Sequence, residues 1–225
     1  MTAHRSIRIR MADRPGALSA VGAALAAHRV DIVRLDVVSH EDGTVVDDLF
    51  LAGDDEAALD RATSSFFGDV EVRPLRGFAA DPVVGIGAAL GAVASATGKG
   101  EALAAIAEGV QRFISCDTVA ILRGSGEGGY DILFGPPGLP AISAGATFAF
   151  RSLALLAELG TSEPWAPPDF MAAFRAARVA AVPCGPGALL LVGRHESLKF
   201  YSGELSRLET YAAAGANIAA SRAPA

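Results

Sequence analysis

The chain is poor in several residue types at once. Its 225 residues include only two cysteines, Cys116 and Cys184, one tryptophan and two lysines, Lys99 and Lys199. Two cysteines without C-x-x-C spacing exclude a disulfide framework. The net charge is −6 and the basic residues are nearly all arginine, which excludes a general nucleic-acid binder, since phosphate neutralisation needs clustered Lys and Arg. No apolar run reaches the about 20 residues of a membrane span. The longest stretch of low polarity, Val83 to Gly98, falls short and is rich in Gly and Ala. The opening residues, MTAHRSIRIR, have no apolar signal-peptide core. These absences lead us to expect a cytoplasmic protein with reduced thiols and neither nucleic acid nor membrane as partner.

What is present describes a globular chain: 51% hydrophobic and 20% charged residues, with a length for one large or two small domains. Ser6 to Met11 alternates, with Ile7, Ile9 and Met11 on one side and Arg8 and Arg10 on the other, as a half-buried strand does. Asp13-Arg14-Pro15-Gly16 breaks it, and a helix follows with Leu18, Val21 and Leu25 on one face. Val30 to Ser39 predicts a second strand, Glu41-Asp42-Gly43 a hairpin turn and Thr44 to Leu51 a third strand. Asp54 is the expected cap of a second helix with Leu59, Ala62 and Phe66 as its stripe, and Val70 to Arg73 a fourth strand ended by Pro74. The order β-α-β-β-α-β predicts a ferredoxin-like sheet with helices on one face. Its other face, carrying Arg8, Arg10, Arg34, Asp36, Glu71 and Arg73, is expected to be largely wet.

The domain boundaries follow from composition: residues 1–76 for this module, 77–83 as linker and 84–225 for a second domain. In the latter, Ile86, Leu90, Val93 and Thr97 mark one helix and Leu103, Ile106, Val110 and Phe113 another. Strands are expected at Thr118–Arg123, Tyr130–Phe134, Thr147–Phe150, Val179–Pro183 and Leu189–Arg194. A helix from about Asp169 to Ala177 interrupts them, and a last helix has Ser202 as its cap. The fold class is therefore α+β twice, with an antiparallel sheet in the second domain.

The β1–α1 corner carries the most chemistry. A Pro precedes a Gly able to take positive φ, and the residues that open the helix offer free N–H groups to a carboxylate. On physics alone a plain strand-to-helix turn remains the alternative. The run Asp13-Arg14-Pro15-Gly16-Ala17-Leu18, the later Val30-Asp31-Ile32 and Asp48-Leu49-Phe50-Leu51 together resemble an ACT domain, over roughly residues 5–76. They are most similar to the ACT repeats of uridylyltransferase/uridylyl-removing enzymes. That resemblance implies an amino acid bound between two ACT domains by the β1–α1 loop and the start of the second strand. The implied site residues are Asp13, Arg14, Pro15, Gly16, Ala17, Leu18, Asp31 and Ile32. Many members have Asn where this chain has Asp31. The expected contacts are the ligand carboxylate on the N–H groups of Gly16, Ala17 and Leu18 and its ammonium near Asp31.

Residues 85–222 resemble a GAF domain in the order of elements and in three segments: Cys116 to Leu122, Arg178 to Arg194, and Phe200 to Leu205. This implies a small-molecule pocket or a dimerisation module, with Glu163 to Pro168 as a lid over Trp165, Phe170 and Phe174. Such aromatics are more often core.

Two glycine runs mimic nucleotide sites. Gly85-x-Gly87-x-x-x-Gly91 lacks the strand that must precede such a loop, and Gly124 to Gly129 is followed by a strand where a helix is required. His4, His28, His40 and His195 have no metal-ligand spacing, and no nucleophile–base set emerges. The expectation is thus a non-enzymatic regulatory sensor with no cofactor and no metal, a homo-oligomer, signalling to a separate effector protein. Two alternatives stand beside it: a structural dimer with degenerate pockets, and a redox enzyme using Cys184 or Cys116.

Overall fold

The computed structural model describes residues 2–41, 43–66, 68, 70–75, 82–125, 128–143, 157–159, 166–195 and 199–221. It divides into two units, Met1–Asp81 and Pro82–Ala225.

In the first unit β1 (Ala3–Ala12), α1 (Ala17–Ala26), β2 (Asp31–Glu41), β3 (Thr44–Gly53), α2 (Glu56–Ser64) and β4 (Glu71–Pro74) build a sheet in the order β2-β3-β1-β4. All its pairings are antiparallel. This is the expected β-α-β-β-α-β arrangement. Alternation decides the faces: Ile7, Ile9 and Met11 of β1 meet Leu49 and Leu51 of β3, and Val21, Leu25, Leu59 and Ala62 of the helices close over them. Leu18 does not join this core and is 39% exposed. The cap of α2 is Asp55 instead of Asp54, its carboxylate accepting from the Ala58 N–H at 2.7 Å. An Asp one residue nearer the helix puts its oxygen within reach of the third N–H.

On the polar face of this sheet Arg10, Glu71 and Arg73 are exposed as expected, and Arg8 departs from expectation. Arg8 is 3% and Asp48 4% exposed. They sit opposite each other on β1 and β3 and form a two-point pair, Nε to Oδ1 at 2.7 Å and Nη2 to Oδ2 at 2.9 Å. Arg34 and Asp36 add a pair at 3.0 Å on neighbouring β2. Removing a guanidinium from water is tolerable only when a carboxylate answers it two-fold. Strand alternation reports which side a residue faces, and says nothing of what covers that side.

In the second unit α3 (Pro82–Ser95) and α4 (Lys99–Val110) precede β5 (Thr118–Gly124) and β6 (Tyr130–Phe134). Then come β7 (Ala157–Leu159), α5 (Pro168–Phe174), β8 (Arg178–Pro183), β9 (Ala188–Arg194) and α6 (Ser202–Ala220). The sheet is antiparallel in the order β6-β5-β9-β8-β7, so the unit is the α+β domain that the likeness to GAF domains implied. The strand β7 was not expected from the sequence, and the expected strand at 147–150 lies outside the described residues. One face of the sheet packs Ile121, Val182, Leu190 and Val192 against Ile106, Val110, Leu208 and Tyr211 of α4 and α6. The other packs Ala120, Leu122, Val179 and Leu191 against Phe170 and Phe174 of α5.

Gly85 and Gly109 show why this part of the chain is glycine-rich. A Cβ on Gly85 would collide with the Arg112 carbonyl oxygen, and one on Gly109 with the Tyr211 hydroxyl and Ala89. Gly85 is thus a packing position inside α3, whereas Gly87 and Gly91 on the same helix meet nothing within 4 Å. The helix α6 begins at Ser202 with Tyr201 as its N-cap, one residue before the expected Ser202; Glu204 reaches back to the Tyr201 N–H at 3.2 Å.

Candidate functional site

The corner after β1 is a tight turn. Pro15 presets its backbone and Gly16 sits at φ 87°, ψ −5°, the left-handed position that glycine fills without strain. The Ala17 N–H donates to the Arg14 carbonyl at 3.1 Å and closes this turn. It is therefore spent, contrary to the expectation that it would hold a ligand carboxylate. The Gly16 and Leu18 N–H groups have no acceptor among the described residues, and a side chain placed on Gly16 would meet nothing within 4 Å. The corner thus presents two donors to open space at the positive end of α1.

Three titratable groups gather around it. Asp13 Oδ2 lies 2.6 Å from His40 Nε2, tying the corner to the end of β2, and the Asp13 N–H donates to the Gly43 carbonyl at 2.9 Å. The hydrogen bond with Asp13, and then its charge, raise the His40 pKa above the ordinary histidine value. Asp47 on β3 is 2% exposed and its Oδ1 has no partner among the described residues. Burial first, and then the neighbouring Asp48, raise its pKa, with His40 opposing. Adjacent strand residues face opposite ways, so Asp47 lies on the helix side, beside Ile9, while Asp48 faces the other side with Arg8.

Asp31 stands elsewhere. It pairs with Ala52 at the far end of β3, whereas the corner follows Ala12, which pairs with Thr44. From Thr44 to Ala52 the strand advances about 26 Å at the usual rise. Asp31 and Ile32 of one copy therefore cannot contact a small ligand that sits on Gly16 and Leu18 of the same copy. Asp13, Arg14, Pro15, Gly16, Ala17 and Leu18 are brought together; Asp31 and Ile32 are not.

Residues 5–63 match the family model of the ACT domain. This segment is an ACT domain. No curated protein matches the chain. Among solved structures the chain is similar to the chromophore-binding domain of an unusual bacteriophytochrome from R. palustris. The identity is 10% and the TM-score 0.45, over 97% of this chain and 94% of that one.

Outside the ACT domain, the expected alternatives meet their geometry. Cys116 and Cys184 are free and buried. Burial pushes the Cys116 thiol up to about 12 and the Cys184 thiol to about 11, opposite to the direction a nucleophilic thiolate needs. Phe170 and Phe174, at 0% and 1% exposed, are core, and Trp165 lies outside the described residues. Among the described residues no group of three His, Cys, Asp or Glu side chains could hold a metal ion. Among them, too, no helix is long and apolar enough to cross a membrane.

Proposed function

We propose that this protein is a regulatory amino-acid sensor whose ACT domain binds its ligand between two copies of the chain, and whose second unit passes the occupied state to a separate effector protein. The observation that carries the reading is the open left-handed glycine at the corner. Gly16 leaves space where any other residue would project a side chain, and its N–H and that of Leu18 have no acceptor among the described residues, at the positive end of α1. A ligand carboxylate satisfies both.

The register supports a role for a second copy. β2 is an edge strand, with Val33 and Val37 56% and 61% exposed. Two copies laid side by side along β2 in antiparallel sense bring Asp31 of one to the His40 end of the other. That is the end at which the Asp13–Leu18 corner stands. Carboxylate and ammonium are then held by different chains, so ligand binding and pairing favour each other. Such coupling regulates only because the ligand has different affinities for the two states.

A thermal-shift screen of the twenty amino acids on the full chain selects the ligand, and calorimetry measures it. Gly16→Val is expected to abolish binding. Gly16→Asn, which tolerates the left-handed backbone, separates blocked space from strain and is expected to abolish it too. Asp31→Ala is expected to weaken binding by about 1.5–3 kcal/mol. Mixing Gly16→Val chains with Asp31→Ala chains tests the sharing, because one site of each mixed pair has both groups intact. Tight binding should return to a fraction of sites. No recovery would place both groups in one copy or neither in the site. If no amino acid shifts the melting curve at millimolar concentration, the chain is a structural dimer with degenerate pockets.

A further inference from the structure

The Asp13–Leu18 corner is fastened to the β2–β3 hairpin at two points. One of them does not titrate: the Asp13 N–H donates at 2.9 Å to the carbonyl of Gly43, which turns the hairpin at φ 68°. The other does: Asp13 Oδ2 lies 2.6 Å from His40 Nε2, and the two side chains are 47% and 64% exposed. Register puts them there. Ala12 pairs with Thr44 and His40 with Val45, so the end of β1, the start of β3 and the end of β2 lie side by side. Paired strand residues share a face, so His40 stands with Val45, and Asp47 follows two residues on along the same face.

Among the described residues, the charged groups that act on His40 are Asp13 of the corner and Asp47 of β3. Both favour the imidazolium, Asp13 first by its hydrogen bond and then by its charge. In the pair of copies proposed above, Asp31 of the second copy arrives at the same end. A histidine set among carboxylates is charged or neutral according to pH in the physiological range. The fixed bond to Gly43 holds the chain path in either state, so the titrating contact can change the corner without unfolding the sheet.

We propose that His40 is a proton-operated latch on this corner: protonated, it ties Asp13 to the end of β2 and cancels the carboxylate charge beside the Gly16 and Leu18 N–H groups; neutral, it leaves that charge unopposed and the tie reduced to an ordinary hydrogen bond. The consequence for the ligand rests on the amino-acid reading above. Asp13 stands three residues before Gly16, so its uncancelled charge opposes a carboxylate bound there. Affinity is therefore highest below the ordinary histidine value of 6.5, while the carboxylates stay charged, and falls as pH rises through the raised value of the folded chain. By linkage, the bound carboxylate strengthens the hold of His40 on its proton by the same factor.

Nuclear magnetic resonance of the full chain reads the latch without any ligand. The His40 ring and the Asp13, Gly16 and Leu18 amides are followed across the histidine range. The amides should titrate with the ring, at a midpoint above 6.5. Asp13→Asn should bring the ring midpoint back toward 6.5, Asp47→Asn should lower it less, and added salt should shrink the shift, because the pair is exposed. His40→Gln keeps a donor without the charge, and its corner amides should lose their pH dependence in that range. The thermal screen of the twenty amino acids is then run at both ends of the range, and the one with the largest shift is measured by calorimetry. The wild type should bind it about fivefold less tightly at the high end, and His40→Gln equally at both. The latch is overturned if the Gly16 and Leu18 amides ignore the ring titration, if Asp13→Asn leaves the midpoint in place, or if the wild type binds its amino acid equally at both ends. Corner amides that follow His40 while no amino acid shifts the melting curve at either pH would sustain the latch and sink the sensor reading instead.

Discussion

Asp47 is a residue whose chemistry the alternation pattern of its strand hides. It lies among Ile9, Val45 and Leu49, where an apolar residue would pack, and one of its oxygens has no partner among the described residues. A buried carboxylate of this kind holds its proton to higher pH than an exposed one. The consequence for stability has a definite sign. Below the ordinary aspartate value of 3.8 the group is neutral in the folded and unfolded chain alike, and costs nothing as a charge. As pH rises through that value the unfolded chain releases its proton first, and stability falls until the raised folded pKa is passed. Asp47→Asn removes the penalty. It is expected to raise the melting temperature at neutral pH, with the gain shrinking as pH falls toward the ordinary aspartate range; melting curves of both proteins across that range measure it. A loss of melting temperature at neutral pH would instead show that the carboxylate answers a cation.

At the scale of elements, the start of α6 hangs on a buried ion pair. Arg194 at the end of β9 reaches Glu204 in the first turn of α6 at 2.5 Å, and both side chains are almost fully buried. The same guanidinium donates to the Ser115 carbonyl at 2.7 Å and the Lys199 carbonyl at 2.8 Å, and lies 3.9 Å over the Phe200 ring. One side chain thus joins the approach to β5, the end of β9 and the head of α6. Arg194→Leu strands Glu204 in the interior and is expected to cost about 3–5 kcal/mol, read as a midpoint shift in guanidinium denaturation. The double substitution Arg194→Leu with Glu204→Leu should recover a large part of that loss; no recovery would mean that the arginine acts through its carbonyl contacts alone. This pair also marks the limit of what was legible beforehand. The strands and helices were readable because period 2 and period 3.6 are local: Ile7, Ile9 and Met11, or Leu208, Tyr211 and Ala212, sort by face without knowledge of the rest. The corner was readable because Pro15 and Gly16 dictate a turn whatever surrounds them. Arg194 with Glu204, Arg8 with Asp48, and the far position of Asp31 depend on register and on separations of many residues, which no local period encodes.

For the molecule as a whole, the exposed apolar residues point to association. Val33 and Val37 on the edge strand β2 are 56% and 61% exposed, Leu18 on α1 39% and Val84 on α3 66%. Gly87, Ala88, Gly91 and Ala94 add an exposed face of small residues along α3, open to close approach by another helix. A module the size of the ACT domain buries a modest share of its surface alone, and an unpaired edge with valines on it invites a second chain. We expect light scattering to give a mass at least twice the 22.9 kDa of the single chain at tens of micromolar. The two surfaces separate by substitution. Val37→Lys puts a charge on the β2 edge and should lower the mass and abolish amino-acid binding together, since the proposed site is shared across that edge. Val84→Lys acts on α3 and should leave amino-acid binding in place even where it lowers the mass. A 22.9 kDa species in the wild type would remove the second copy on which the shared site depends. Amino-acid binding that survived in such a monomer would then put the whole ligand on one corner, with Asp31 taking no part in it.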